Sequence, residues 1–208
     1  MMLNKAIPVE DKTATVATSN CVINLSPDKP KVFSELWRIL KDHGRAVIAD
    51  IVSDREVPPR LKVNERLWGE CIVGALTEPQ FLAMLEQAGF YGLSVMQKTF
   101  WKRIEGFNFF SMTVQGFKFE KTQGCRYIGQ TAIYHGPFAA VLDEEGHQFP
   151  RNAAVSVCTD TAAKLSRAPY AKVFTVIEPT GELRDEAAEA CCAPDGAKER
   201  EDGTRETA

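Results

Sequence analysis

The first 51 residues read as a strand, a helix and a second strand, and this order constrains the fold more than any other feature of the sequence. Lys12 to Ser19 contains threonine and valine between polar residues and predicts the first strand. Ser26, followed by two prolines, predicts a helix start, and Gly44 predicts its end. The mostly apolar run from Arg45 to Ile51 is typical of a buried parallel strand. A strand–helix–strand unit of this length predicts an α/β fold.

The next part of the chain carries local signals for a helix and a strand pair. Thr77 and Gln80 match a capping box, and the helix that follows is expected to end at Gly89. The segments Tyr91 to Trp101 and Phe107 to Phe119 predict two strands, and the turn at Gly106 makes them antiparallel.

The character of the sequence changes from residue 122 onward. Short strand-like runs separated by turn signals predict a small β-rich domain at residues 122–177. Residues 178–208 contain few apolar side chains and are predicted to form a disordered charged tail. The α/β part is assigned to residues 1–121.

Charge and hydropathy exclude several classes of partner. The chain has 25 Lys and Arg residues against 28 Asp and Glu residues, a formal net charge of -3. This balance gives no electrostatic reason to expect nucleic acid or an anionic membrane as a partner. The sequence has no apolar run that could span a bilayer and no signal-peptide pattern at its start, so we expect a cytoplasmic location.

The sequence lacks the glycine-rich turn that usually cradles a nucleotide-like cofactor. A doubly wound sheet of this kind begins with a strand, a glycine-rich turn and a helix. Here the first strand is followed by Ser19-Asn20-Cys21, and no G-x-G-x-x-G is present. We therefore expect the cofactor-cradling half to be missing from the sequence as written.

The six cysteines are the strongest candidates for a chemical function in this sequence. In a cytoplasmic protein, structural disulfides are not expected, and the absence of C-x-x-C spacing argues against a zinc ribbon. Cys71 lies between Gly69 and Gly74, and Cys125 directly follows Gly124. The residues alone leave two interpretations open: small buried residues beside tight turns, or ligands for a soft substrate.

Five stretches of the sequence are distinctive: Ser19–Lys29, Trp68–Leu76, Phe117–Cys125, Gly129–Tyr134 and Val157–Ala162. They resemble arsenite methyltransferases, which are S-adenosylmethionine-dependent enzymes. These stretches follow each other in the family's order and together cover about Ile7 to Val176.

The resemblance implies a fold and a site. The expected fold is a partial Rossmann-like class I methyltransferase sheet, entered just before its fourth strand, with the family's small C-terminal domain. Cys71 and Cys125 match the thiols that bind trivalent arsenic, and we expect them to meet in space. Asn20 and Cys21 are the candidates for contact with S-adenosylmethionine. The segment after Cys125, Arg126-Tyr127-Ile128, replaces a more acidic family sequence.

The implied reaction is methyl transfer from S-adenosylmethionine to thiolate-bound trivalent arsenic. Trivalent arsenic is soft and prefers thiolates to oxygen or imidazole ligands. It keeps a lone pair that can attack a methyl group directly, so the protein needs mainly to position the reactants. Because the cofactor-cradling half is missing, the chain alone is expected to be inactive. Its expected partners are trivalent arsenic or its thiol conjugates, and either an N-terminal partner chain or a second copy that pairs with an exposed strand edge.

Two other functions remain open at this point. One is a non-catalytic module that binds arsenic or another soft metal through thiols, and the other is an inactive fragment. Cys191 and Cys192 are adjacent and form a second candidate for soft-metal binding, although a thiol pair without a role fits equally well. No metal beyond arsenic is otherwise expected. Cys158 is interpreted as a core residue.

Overall fold

The computed structural model describes residues 6–62, 67, 70–122, 125–143, 145–180 and 186–187. The chain divides into two compact units, Met1–Glu120 and Lys121–Ala208, and each is described here by itself. The boundary expected from the sequence lies one residue further along the chain.

The first unit is an α/β structure. Its helices and strands are, in chain order, β1 (Ala14–Asn20), α1 (Lys29–Ile39), β2 (Leu40–Ser53), α2 (Pro59–Lys62), β3 (Leu76–Thr77), α3 (Glu78–Gln87), β4 (Phe90–Ile104) and β5 (Phe107–Lys118).

One mixed sheet organises the first unit. The strand order is β1-β2-β5-β4, and the short β3 also pairs with β2. Strands β1 and β2 are parallel, whereas β5 is antiparallel to both β2 and β4. The strand–helix–strand unit and the antiparallel strand pair that the sequence predicts are therefore confirmed.

Helix α1 differs at both ends from the sequence prediction. Its N-cap is Asp28, whose carboxylate accepts the N–H of Lys31 at 3.1 Å, rather than Ser26. The helix ends at Ile39 instead of Gly44, because Leu40 pairs with Ala14 and begins β2. The tertiary pairing of this segment overrides the local stop signal of the glycine.

Helix α3 begins as the sequence predicts. The Thr77 hydroxyl accepts the N–H of Gln80 at 3.4 Å, and the Gln80 side chain accepts the N–H of Thr77 at 3.0 Å. This reciprocal pair is a capping box. Helices α1 and α3 pack against each other through Phe33 and Phe81, whose ring centroids are 5.5 Å apart, and both rings are buried.

In its described residues, the second unit is built from short strands, one α-helix and one short 3-10 helix. In chain order the strands and the α-helix are β6 (Arg126–Tyr127), β7 (Thr131–Tyr134), β8 (Ala140–Leu142), β9 (Gln148–Pro150), β10 (Ala154–Ser156), α4 (Thr159–Leu165), β11 (Phe174–Ile177) and β12 (Glu186–Ala187). The strands form three small sheets, β10-β7-β11, β8-β9 and β12-β6. This β-rich character agrees with the sequence pattern.

The segment expected to be a disordered tail contains one described strand. Glu186 pairs with Tyr127 and Ala187 pairs with Arg126, so the expectation of a structureless tail is wrong at these two residues. Backbone pairing with β6 stabilises a segment that has little apolar surface of its own. Cys191 and Cys192 lie outside the described residues.

No helix in the described parts of the chain combines the length and the apolar character that a transmembrane span requires.

Candidate functional site

The site begins where β1 ends. Asn20, the last residue of β1, lies opposite Ala49 of β2, and the N–H of Cys21 donates to the carbonyl of Ala49 at 2.9 Å. Cys21 follows Asn20 and Asp50 follows Ala49, so Cys21 and Asp50 lie next to each other at the point where β1 ends. Ligands of open α/β sheets bind at this carboxyl edge.

A loop from the first unit brings Cys71 to the same edge. The loop is closed by a hydrogen bond from the N–H of Ile72 to the carbonyl of Leu67 at 3.1 Å. It then enters β3, which pairs with β2 at Val52 and Ser53, directly after Asp50. The Cys71 thiol donates to the carbonyl of Cys21 at 3.1 Å. Trp68 and Gly69 lie outside the described residues.

Three ligand atoms meet at this point. The sulfurs of Cys21 and Cys71 and a carboxylate oxygen of Asp50 all lie within 4.8 Å of one another. Cys21 is exposed, whereas Cys71 is 6% and Asp50 1% exposed. The group is thus open to solvent on the Cys21 side and buried on the other. We name Cys21, Asp50 and Cys71 the two-thiol site.

Both cysteines have a strained backbone. Cys21 has a φ of 52° and Cys71 a φ of 60°, in the left-handed region that residues with a side chain rarely adopt. Such conformations persist only where the surrounding structure fixes them, and they cluster at functional sites.

Asn24 fixes the backbone of the two-thiol site. Its buried side-chain amide donates to the carbonyl of Cys71 at 3.1 Å and to that of Ile51 at 2.6 Å, and its N–H donates to Asp50 at 3.1 Å. A Cβ atom at Gly74 would lie 1.9 Å from the carbonyl oxygen of Asn24. Only glycine therefore permits this close approach of the Cys71 loop to Asn24.

Burial and charge keep both thiols protonated at neutral pH. Burial, the neighbouring charge of Asp50 and the interaction with Cys21 together raise the pKa of Cys71 to about 11, and burial is the largest of these causes. Burial and Asp50 also raise the pKa of Cys21, which the hydrogen bond from Cys71 opposes. Burial also raises the pKa of Asp50, whereas hydrogen bonds from the N–H groups of Ile51 and Asn24 lower it.

A cleft lies beside the two-thiol site along β1. Its volume is about 600 Å³, and the end of β1 lines it with the polar residues Thr18, Ser19 and Asn20. Asn20 is exposed. This volume lies within the range of small-molecule and cofactor sites. The assignment of Asn20 and Cys21 to cofactor contact stays a prediction.

Cys125 lies in the second unit, where it is buried and disulfide-bonded. The expectation of reduced cysteines throughout the chain is therefore wrong at Cys125. A disulfide sulfur has no thiolate to offer, so Cys125 must be reduced before it can bind arsenic. Because Cys71 and Cys125 belong to different units, their meeting in space stays a prediction. Cys158 is fully buried, as expected of a core residue.

The second unit carries another group of titratable side chains. Ligand atoms of Asp143, Glu145 and His147 lie within 4.8 Å of one another. Lys121 and Lys164 form ion pairs with Glu145 at 3.0 and 3.6 Å, so cations of the chain already balance this carboxylate. This group is explained as part of the turn between β8 and β9.

Sequence reasoning missed Asp50 of the two-thiol site and Asn24, which holds the backbone of that site. Asp50 lies inside the mostly apolar run from Arg45 to Ile51 that predicts a buried strand, and an acidic residue in such a strand is itself a signal of a site. Asn24 lies between the predicted first strand and the predicted helix and carries no local signal of its role. The proximity of Cys21 to Cys71 could not be read from the sequence, because 50 positions separate the two residues.

Comparisons with known proteins agree with the resemblance. Residues 3–89 match a family model described as a methyltransferase domain, and residues 121–208 match one described as a domain of unknown function (DUF8838). The arsenite methyltransferase of Aquipseudomonas alcaligenes is 32% identical over 186 residues, which are 83% of this chain and 54% of that protein. The human arsenite methyltransferase is 30% identical over 185 residues, 84% of this chain and 49% of that protein.

The chain is similar to arsenite methyltransferases. A solved structure of an arsenic(III) S-adenosylmethionine methyltransferase from Chlamydomonas reinhardtii aligns with a TM-score of 0.55 at 28% identity, covering 86% of this chain and 64% of that chain. The predicted resemblance and the α/β methyltransferase fold class are therefore confirmed. The chain spans about half the length of the curated arsenite methyltransferases that it matches.

Proposed function

We propose that this chain supplies the arsenic-binding part of an S-adenosylmethionine-dependent arsenite methyltransferase, with Cys21 and Cys71 as the ligands of trivalent arsenic. The observation that carries the proposal is the approach of the two thiols, with Asp50, to within 4.8 Å in a chain that is similar to arsenite methyltransferases. The similarity favours methyl transfer over a module that only captures arsenic.

The binding step follows from the protonation of the thiols. With pKa values raised by burial, the thiols of Cys71 and Cys21 enter the reaction as S–H groups. Arsenite carries three hydroxyl groups, and two of them leave as water with the two thiol protons while two arsenic–sulfur bonds form. No net proton is released. The bound arsenic keeps its lone pair and one hydroxyl group.

The chain's residues also determine where the arsenic lies. Asn24 holds the carbonyl of Cys71, and the β1–β2 pairing holds Cys21, so both sulfurs are placed before the substrate arrives. Positioning of this kind supplies most of what a direct displacement requires, since the arsenic lone pair needs no general base.

The residues at the end of β1 fit part of the cofactor. Thr18, Ser19 and Asn20 offer polar groups on the wall of the 600 Å³ cleft next to Cys21. When bound, S-adenosylmethionine supplies an activated methyl group on sulfur. The sequence has no glycine-rich turn, so we infer that the remaining cofactor contacts come from residues outside it, in the same polypeptide or in a partner chain.

The test is an arsenite titration of the reduced chain and of single serine variants. Cys21→Ser and Cys71→Ser should each weaken arsenite binding by about 100-fold, because each removes one of two arsenic–sulfur bonds. Cys158→Ser is the matched control, since that thiol is buried within the second unit, where it accepts the N–H of Thr161.

Cys125→Ser distinguishes the two possible thiol pairs. We expect this variant to bind arsenite like the wild type. Loss of binding in Cys125→Ser together with normal binding in Cys21→Ser would instead establish the pair Cys71 and Cys125 that the resemblance implies. Unchanged binding in both Cys21→Ser and Cys71→Ser would reject the two-thiol site as the arsenic site.

A further inference from the structure

We propose that the two-thiol site is also a three-ligand site for a divalent cation of the zinc and cadmium type, with Asp50 as the third ligand. Such a cation would occupy the same two sulfurs as trivalent arsenic and would therefore compete with it. The competition rests on the proposed function, whereas the binding of the cation does not.

The donor set fits this class of cation. Zinc binds cysteine sulfur at about 2.3 Å and carboxylate oxygen at about 2.0–2.2 Å, and sites with three protein ligands keep a fourth position for water. Cys21, Cys71 and Asp50 supply two sulfurs and one oxygen. Hard cations such as magnesium prefer oxygen ligands only, so this mixed set does not favour them.

The distances also fit. Two sulfurs on a tetrahedral zinc ion are separated by about 3.8 Å. The three ligand atoms of the site lie within 4.8 Å of one another, so they need to approach by about 1 Å at most. Cys21 is exposed, and its side chain is the one with room to make this movement. The same exposure gives a cation access from solvent.

Asp50 is the residue that should bind a divalent cation but contribute little to the binding of trivalent arsenic. A soft trivalent arsenic atom gains little from a carboxylate, because it prefers thiolates. A divalent cation gains a charged ligand and in turn stabilises three anionic groups that would otherwise repel each other.

A buried acceptor next to the site supports a hydrated ligand. Oδ1 of Asn24 is buried and makes no hydrogen bond to the described residues, although the amide nitrogen of the same side chain donates to Cys71. Buried acceptors without a partner are uncommon and call for an explanation. A water molecule on a bound cation offers O–H donors to an acceptor of this kind.

The experiment measures cadmium and arsenite binding to the same set of variants. The full chain is reduced with a non-thiol reductant, and a Cys191→Ser and Cys192→Ser background removes the adjacent thiols. Cadmium binding is followed by its thiolate charge-transfer absorption, and zinc by competition. The decisive variant is Asp50→Asn, which keeps the shape of the side chain. Asp54→Asn is the matched control, because Asp54 lies on the same edge but is exposed.

We expect Asp50→Asn to weaken cadmium binding by about tenfold or more, since loss of even an outer-shell partner costs that much at metal sites. The loss should be larger for cadmium than for arsenite, because trivalent arsenic prefers thiolates to a carboxylate. Cys21→Ser and Cys71→Ser should each abolish the cadmium signal, and cadmium should displace arsenite from the wild-type chain.

Two results would overturn the proposal: cadmium affinity that Asp50→Asn leaves unchanged, or a cadmium signal that survives in both Cys21→Ser and Cys71→Ser. If Asp50→Asn does not fold by circular dichroism, X-ray absorption of the cadmium-loaded Cys191→Ser and Cys192→Ser background decides instead. Two sulfur ligands with oxygen support the proposal, and sulfur ligands alone overturn it. If the chain with both Cys21 and Cys71 intact binds cadmium but not arsenite, only the proposed function is rejected.

Discussion

At the scale of single residues, the thiol of Cys71 is the group whose chemistry the structure changes most. Its side chain is buried beside the carboxylate of Asp50, and its pKa is raised to about 11. Since the thiolate is the reactive form, a raised pKa lowers reactivity at every pH below that value. The free site is therefore protected from alkylation and oxidation until a ligand displaces the thiol protons.

The prediction is a pH profile for alkylation of Cys71 in the folded chain. The rate constant with iodoacetamide, measured by peptide mass spectrometry, should rise about tenfold for each pH unit above neutrality and should not level off below about pH 11. In urea the same residue should level off near its ordinary pKa of about 8.5. A plateau of the folded chain near pH 9 would contradict the buried environment of Cys71.

Part of the candidate site can be predicted from the identity of its residues. The sequence singles out Cys71 because glycines flank it, and the structure shows why one of them is needed, since Gly74 packs against the backbone of Asn24. Asp50 could have been recognised as an acidic residue in a buried run. The role of Asn24 could not, because it depends on hydrogen bonds to Ile51 and Cys71, which are distant in sequence.

At the scale of elements, local signals are accurate where the interaction they describe is itself local. The capping box of α3 joins residues three positions apart, and the structure forms it as predicted. The end of α1 depends on a distant strand, because Leu40 pairs with Ala14, and here the glycine signal at Gly44 is wrong. Gly44 lies inside β2 instead.

The capping box gives a prediction for the stability of α3. Thr77→Ala should lower the free energy of unfolding by about 1 kcal/mol, because the N–H of Gln80 loses its acceptor. Thr77→Ser keeps a hydroxyl group and should restore most of this loss. Both variants are measured by urea unfolding of the reduced chain, and equal stability of Thr77→Ala and wild type would show that α3 does not depend on its cap.

At the scale of the whole molecule, the sheet of the first unit has two edges of different character. Strand β4 forms one edge, and its pairing with β5 is interrupted by three irregularities. Strand β1 forms the other edge, and its pairing with β2 has one irregularity, between Ala14 and Val16, before it runs without interruption to Asn20. Bulges and charged side chains protect edges from pairing with other chains, whereas regular edges invite it. Sequence reasoning anticipated an exposed edge at β1.

This contrast predicts that the isolated chain associates through β1. Val16 on β1 is 42% exposed, and a lysine at this position would place a charge at the pairing edge. We expect the wild-type chain to show concentration-dependent association in sedimentation velocity and Val16→Lys to shift it toward the monomer. Met96→Lys, at a 59% exposed position of β4, should leave the association unchanged because that edge is already irregular. A wild-type chain that stays monomeric at all concentrations, or a β4 variant that dissociates it instead, would contradict the assignment of β1 as the associating edge.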